Sequence, residues 1–221
     1  MSVRSMELET WELEAWYTNG PMPEAMAKSS FRVHVEEKRY ADKHGDFRCV
    51  VKLKIKDETN RTFVASGVVI GPDLVLTSAH NVRYRGGEDY VSRAVSVRAY
   101  IGYHRQGSSS KGAGVQERSG TRVIVLQEWE SSGFTWHNDM ALVKLGSQFT
   151  QVKPALYQAP SSGESDVLVV GYPSNNTTQV LNACPDCKTA GCMYEVAGQA
   201  KYNAANLLEY ELSTMPGKPT N

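Results

Sequence analysis

The chain has no net charge, no long apolar run and little cysteine. Lys plus Arg and Asp plus Glu each number 24 among its 221 residues, so no overall field attracts nucleic acid or an anionic membrane. No segment approaches the ~20 apolar residues of a membrane span, and acidic residues stand near the start, where a signal peptide needs an apolar run. We therefore expect no nucleic-acid partner, no membrane partner and no visible export signal, and the compartment stays open.

Four cysteines are too few for a disulfide scaffold at this length. Cys49 stands alone, whereas Cys184, Cys187 and Cys192 form a Cys-x2-Cys-x4-Cys cluster. That cluster supplies three of the four ligands of a structural zinc site, and no histidine or fourth cysteine is near in sequence. We therefore favour a disulfide between two of the three, or plain surface thiols, over a metal site, and we expect no metal and no cofactor.

Short β-rich runs begin after an N-terminal extension, residues 1–45, that shows no sustained period. The predicted strands of the first unit are 47–55, 62–70, 73–77, 94–104, 121–127 and 140–145. Six strands suffice for one small closed barrel, assigned to residues 46–146. In the first strand, Lys52 alternates with Val51 and Leu53, which predicts a sheet face in water. The polar stretch 104–120 predicts a mobile surface loop.

A second β unit is predicted after a connector rich in proline, serine and glycine. The connector is assigned to residues 147–165 and the second unit to residues 166–221. Its candidate strands are 166–172, 178–183, 193–201 and 206–213. The sequence thus predicts an all-β chain whose first barrel is complete and whose second is incomplete.

A hydrophobic hairpin over residues 66–80 ends in His80, where Ser78 and Ala79 leave space around the ring. An imidazole at a strand end beside a cleft can exchange protons with a substrate near neutral pH. A histidine without such a context is more often structural. The context here favours a general base.

Asp139 precedes an apolar strand, where its carboxylate would be largely buried and would need a hydrogen-bond donor. An imidazole N–H is such a donor, and a carboxylate there would fix the histidine tautomer. The simpler interpretation of an Asp before a strand is a turn residue. The pairing with His80 favours the functional interpretation.

Together these segments resemble the trypsin-like serine proteases of chymotrypsin fold, most closely their glutamyl endopeptidase branch, over about residues 47–217. The family pattern Leu-Thr-x-Ala-His matches at His80, and Asp-x-Ala-Leu matches at Asp139. The run 169–173 resembles that branch's Gly-Tyr-Pro strand. The resemblance implies a chymotrypsin-like double β-barrel and hydrolysis of peptide or protein substrates by a Ser-His-Asp triad. It also implies a monomer from a family whose members are often secreted.

The departure from the family pattern lies at the nucleophile. The family's Gly-x-Ser-Gly turn would align Gly217 with its first glycine and Pro219 with the serine. Proline has neither a nucleophilic atom nor the N–H that would help form an oxyanion hole. Ser213 and Thr214 precede the turn and lack matching oxyanion donors, so neither is expected to substitute. We expect the chain as written to be inactive and its second barrel to be C-terminally truncated.

Thr214 resembles the branch's pocket threonine, which weakly implies a preference for Glu at the cleaved bond. We expect an incomplete gene product, because residues 217–218 can be encoded GGU-AAG, which resembles a splice donor. The alternative is a pseudoprotease, a protein- or peptide-binding module without turnover. A third interpretation, a cysteine-based metal-binding protein, rests on the cysteine cluster alone.

Overall fold

The computed structural model describes residues 3–7, 33–85, 91–104, 114–131, 138–157, 164–173, 192–202 and 208–210. Nearly all of the regular structure in these ranges is β-strand. The strands are β1 (Val3–Glu7), β2 (Val33–His34), β3 (Val50–Asp57), β4 (Thr62–Gly71), β5 (Leu74–Thr77), β6 (Arg83–Arg85), β7 (Val91–Ile101), β8 (Gln116–Leu126), β9 (Ala141–Leu145), β10 (Glu164–Gly171), β11 (Tyr194–Tyr202) and β12 (Leu208–Tyr210). The helices are short: α1 (Lys38–Ala41), α2 (Gln127–Ser131) and a 3₁₀ turn, Ala79–Asn81.

Six strands close into an antiparallel barrel in the order β3-β4-β5-β9-β8-β7, and β7 pairs with both β8 and β3. Closure gives every one of these strands two neighbours, which leaves no free edge in the ring. The interior holds buried apolar residues of each strand: Val51, Leu53, Ile55, Phe63, Ala65, Val69, Val75, Val97, Ala99, Ile101, Val123, Val125, Val143 and Leu145. The predicted all-β fold and first barrel are confirmed.

The first residues of β8, 116–120, form a strand where the sequence predicts a mobile loop. Gln116 already opposes Ile101, and Ser119 opposes Arg98, in the ladder that closes the barrel. The Arg98 guanidinium donates to a Glu117 carboxylate oxygen at 3.1 Å on the outer face. A ladder needs only backbone groups, so polar side chains on its wet face gave this strand the composition of a loop. The prediction was wrong for residues 116–120; residues 105–113 lie outside the described residues.

The prediction that Lys52 faces water was also wrong, because its side chain is buried with 3% exposure. Its ammonium lies 3.8 Å from the centroid of the Tyr103 ring and 5.9 Å from that of Tyr172, as a cation–π contact. Tyr172 follows β10, so the second sheet covers this face of the barrel. A period of two reveals two faces of a strand but not what covers them.

The second unit is a four-stranded sheet in the described residues. All of β10 pairs with β11, from Glu164 opposite Lys201 to Gly171 opposite Tyr194. On its other side β11 pairs with β12 and with β2. Two predicted strands, 166–172 and 193–201, correspond to β10 and β11. The predicted strand 178–183 lies outside the described residues.

Residues of the N-terminal extension take part in both sheets. β1 pairs with β8 outside the barrel, and β2 pairs with β11. The Arg39 guanidinium of α1 binds both carboxylate oxygens of Glu195 at 2.8 and 2.9 Å and also the Asp46 carboxylate. Between the two sheets lies a second buried cluster, formed by Val35, Tyr40, Tyr100, Tyr103, Tyr172 and Met193.

Candidate active site

His80 lies in the 3₁₀ turn that follows β5, at one end of the barrel. Ser78 is extended, and the backbone then turns sharply, with the Val82 N–H donating to the Ala79 carbonyl at 3.0 Å. Ala79 is fully buried, which anchors the turn, whereas the His80 side chain is 39% exposed. The turn therefore fixes the backbone of His80 while its imidazole remains accessible at the surface.

Asp139 reaches the same end of the barrel from the start of β9. Thr77, at the end of β5, lies directly opposite Ala141, at the start of β9. His80 follows Thr77 by three positions and Asp139 precedes Ala141 by two, so the ladder brings them together. Asn138 has a φ of 65°, a left-handed conformation that asparagine tolerates better than most residues. This tight turn places Asp139 at the rim.

Both oxygens of the Asp139 carboxylate bind His80. Oδ2 lies 2.6 Å from the ring Nδ1, and Oδ1 accepts the His80 backbone N–H at 2.8 Å. The Asp139 side chain is only 13% exposed, so water competes weakly for these bonds. A carboxylate can only accept, so Nδ1 carries the hydrogen and Nε2 keeps its lone pair in the neutral imidazole. The arrangement is that of a general base with a fixed tautomer.

The chain just after His80 is held by α2. The Trp129 indole N–H donates to the Arg83 carbonyl at 3.1 Å, and the Trp129 side chain is 2% exposed. The Arg83 guanidinium forms an ion pair with the Glu130 carboxylate. These two contacts fix β6 against the barrel, so the turn that carries His80 is anchored on its C-terminal side.

A buried carboxylate, Asp57, holds the next residue of β6. Its Oδ2 accepts the Tyr84 hydroxyl at 2.9 Å and the Arg61 guanidinium at 3.0 Å, and its Oδ1 accepts from Thr59 at 2.8 Å. Burial alone would raise the pKa of the Asp57 carboxyl, but the hydrogen bonds from Thr59, Tyr84 and Arg61 outweigh it and lower the pKa. No sequence motif signalled this group.

Several predicted site residues belong to the C-terminal segment of the sequence. Pro219, at the aligned nucleophile position, and Thr214, the candidate pocket residue, lie outside the described residues. The same holds for Gly217 and Ser213. The structure therefore brings together His80 and Asp139, the two predicted members of the site that it describes.

Of the three clustered cysteines, Cys192 lies among the described residues, and its state agrees with the predicted disulfide. Cys192 is buried and disulfide-bonded, and its partner lies outside the described residues. A disulfide sulfur is not a thiolate, so Cys192 offers no zinc ligand. Cys49 is a free, half-buried cysteine, and burial raises the pKa of its thiol. The described part of the chain holds no group of three His, Cys, Asp or Glu side chains placed to bind a metal, and none of its helices is long and apolar enough to cross a membrane.

A closed six-stranded barrel with a His–Asp pair at its rim defines the class of chymotrypsin-like folds. The sequence pattern of the family described as Trypsin matches residues 38–203, more than half of the chain. The chain belongs to the trypsin family of serine proteases, and the resemblance inferred from its motifs is confirmed.

The relatives found are glutamyl endopeptidases. One from Staphylococcus aureus strain MRSA252 is 25% identical over 182 residues, covering 79% of this chain and 43% of the relative. Another from strain MW2 is 25% identical, and the match covers 46% of it. The chain thus spans about half the length of the curated relatives it matches. A solved structure of a Glu endopeptidase in complex with MPD superposes with a TM-score of 0.60 at 16% identity, covering 86% of this chain and 77% of that one.

Proposed function

We propose that the protein is a serine-type endopeptidase in which His80 is the general base and Asp139 its orienting acid. The observation that carries the proposal is the pair of hydrogen bonds from His80 to Asp139, one from the ring Nδ1 and one from the backbone N–H. A carboxylate that only packed at a turn would not need to meet an imidazole with one oxygen and its main chain with the other. Family membership supports the same assignment.

The chemistry is acyl transfer to a serine hydroxyl. Nε2 of His80 takes the hydroxyl proton as the oxygen attacks the peptide carbonyl, and it returns that proton to the leaving amine. Water, deprotonated by the same nitrogen, then hydrolyses the acyl-enzyme ester. Asp139 stabilises the imidazolium that forms in each step, and its low exposure strengthens that interaction.

The proposal includes that a polypeptide of these 221 residues does not turn over a peptide. Pro219 stands where the aligned family pattern has its serine, and proline supplies neither the hydroxyl nor the backbone N–H of an oxyanion hole. Removing triad chemistry lowers turnover by about six orders of magnitude in comparable enzymes. Substrate preference is proposed as Glu at the cleaved bond, supported by Thr214 and by the names of the relatives.

Serine-reactive labelling tests these roles. A fluorophosphonate should not label the 221-residue protein. The double variant Pro219→Ser/Thr220→Gly restores the Gly-x-Ser-Gly pattern at 217–220, and we expect the introduced serine to be labelled only while His80 is present. Pro219→Ala/Thr220→Gly is the matched control without a hydroxyl. Labelling that persists at the same rate after His80→Ala would contradict the role of His80.

The second candidate is a peptide-binding pseudoprotease. It is favoured by the first barrel, whose six described strands close on one another and enclose a core of their own apolar residues. A binding module of this kind shows a cooperative thermal transition and shifts of the His80 ring signals when a Glu-containing peptide is added. The endopeptidase proposal instead expects such a peptide to be cleaved once the serine is restored.

A further inference from the structure

We propose that Ser66 is a positioning residue that couples the His80 turn to the second sheet through a chain of hydrogen bonds. The inference rests on the proposed function, because the base lies on the first barrel and the aligned nucleophile position follows β12 of the second sheet. A base must come within about 2.6–3.2 Å of the hydroxyl it deprotonates. Contacts that set the two sheets relative to each other therefore set that distance.

One link joins Ser66 to the second sheet. The Tyr172 backbone N–H donates to Ser66 Oγ at 2.8 Å. Gly171 makes this approach possible, since a Cβ there would lie 2.5 Å from the Ser66 oxygen. Tyr172 is itself locked, because its ring is buried and its hydroxyl donates to the Tyr103 carbonyl at 3.1 Å. Gly171 and Tyr172, which the sequence motif contains, thus form the contact between the end of β10 and β4.

The other link joins Ser66 to the turn that carries His80. The Ser66 carbonyl accepts the Thr77 hydroxyl at 2.8 Å. Thr77 Oγ1 in turn accepts the Asn81 side-chain N–H at 3.0 Å. Asn81 belongs to the same 3₁₀ turn as His80. The chain of bonds therefore runs from Tyr172 through Ser66 and Thr77 to the residue next to the base.

Strands β4 and β5, which carry Ser66 and Thr77, are closely packed against each other. A Cβ at Gly67 would lie 2.7 Å from a Val75 methyl group and 2.9 Å from the Leu76 carbonyl, so β4 and β5 pack in close contact. The side-chain oxygen of Ser66 accepts a hydrogen bond from Tyr172 of the second sheet, and its main-chain oxygen accepts one from Thr77 of the first barrel. A displacement at Tyr172 is passed to the His80 turn, where a shift of about 1 Å costs about 100-fold in rate.

Native-state hydrogen exchange tests the coupling without requiring catalysis. Ser66→Ala removes the acceptor of the Tyr172 N–H but keeps the carbonyl that Thr77 binds. We expect exchange at Tyr172 and at the His80 amide, which donates to Asp139, to rise about tenfold, as loss of one hydrogen bond implies. Val143, which has partners on both sides in the barrel, is the reference amide and should change little.

Two threonine variants sharpen the result. Thr77→Val breaks the second link only, so it should accelerate His80 and leave Tyr172 unchanged. Thr121→Val is the matched control, because Thr121 also donates its hydroxyl to a strand carbonyl, that of Lys144, at 3.2 Å, but on the exposed side of the barrel. It should alter neither amide.

Acceleration of Tyr172 alone in Ser66→Ala would overturn the proposal, and so would an equal rise at Tyr172, His80 and Val143. In the serine-restored variant, Ser66→Ala should also slow His80-dependent fluorophosphonate labelling. If that variant fails to label at all while His80 exchange still responds to Ser66→Ala, the proposed function fails and the coupling stands. The two failures are therefore distinguishable.

Discussion

The two sheets of this molecule obtain their stability in different ways. The first barrel gives each of its six strands two partners and fills its interior with its own apolar residues. The described second sheet has four strands, and its buried residues Tyr172 and Met193 pack against Tyr100 and Tyr103 of the first barrel. The His80–Asp139 pair thus lies within the first barrel, whereas the second sheet is positioned through contacts with the first.

Contacts of different kinds join the two regions in the described part of the chain. They include the Ser66–Tyr172 hydrogen bond, the bond of the Tyr172 hydroxyl to the Tyr103 carbonyl, and the Lys52 ammonium 5.9 Å from the Tyr172 ring. A base on one region and a nucleophile on the other must be aligned through contacts like these. Variants that act on one region or on the contacts between them can separate stability from alignment.

The largest effect is expected inside the first barrel. Asp57→Asn leaves the buried Tyr84 hydroxyl and the partly exposed Arg61 guanidinium facing an amide instead of a carboxylate, so the free energy of unfolding should fall by about 2–3 kcal/mol. Glu58→Gln is the matched control, because the Glu58–Arg93 pair is partly exposed and should contribute at most about 1 kcal/mol. Urea unfolding measures both; equal midpoints would contradict the assignment.

The same carboxylate predicts a dependence on pH. The pKa of Asp57 is lowered in the folded protein, so its contribution is complete above the unfolded value of about 3.9 and is lost as pH falls through the folded pKa. Thermal unfolding of the wild type should therefore lose stability below about pH 4 more steeply than that of Asp57→Asn. Parallel curves for the two proteins would assign the acid sensitivity to other groups.

A smaller effect is expected at the boundary between the two regions. Tyr172→Phe removes the hydroxyl that donates to the buried Tyr103 carbonyl and should destabilise the protein by about 1–2 kcal/mol. Tyr157→Phe is the control, because that side chain is 80% exposed. Differential scanning calorimetry should show the change in melting temperature at Tyr172 only. The same loss for both variants would contradict the boundary contact.

The smallest effect is expected at the ion pair that joins α1 to β11 of the second sheet. A double-mutant cycle of Arg39→Ala and Glu195→Gln should give a coupling energy of about 0.5–1 kcal/mol, because both side chains are only partly buried. The coupling should shrink as salt is raised toward about 1 M. A coupling that is large and insensitive to salt would contradict the assignment of this pair as a partly exposed contact of minor weight.

The site could be predicted from sequence where its signal is local. His80 and Asp139 each follow or precede an apolar strand within a few residues, and the six barrel strands carry their own periodicity. The Tyr84–Asp57 bond joins residues 27 positions apart and the Tyr172–Ser66 bond joins residues 106 positions apart, and Lys52 is covered by Tyr103 and Tyr172. No pattern in one segment reveals such a distant partner. The sequence predicts a loop at the start of β8 because the outward side chains of that strand are as polar as those of a loop.

The most direct test of the central claim is the tautomer of His80, read by ¹⁵N NMR of the neutral imidazole at alkaline pH. Asp139 as orienting acid predicts hydrogen on Nδ1 and a free lone pair on Nε2 in the wild type. Asp139→Asn should shift the hydrogen to Nε2, because the amide can donate to Nδ1. A wild-type ring that already carries its hydrogen on Nε2, or that does not respond to Asp139→Asn, would contradict the account.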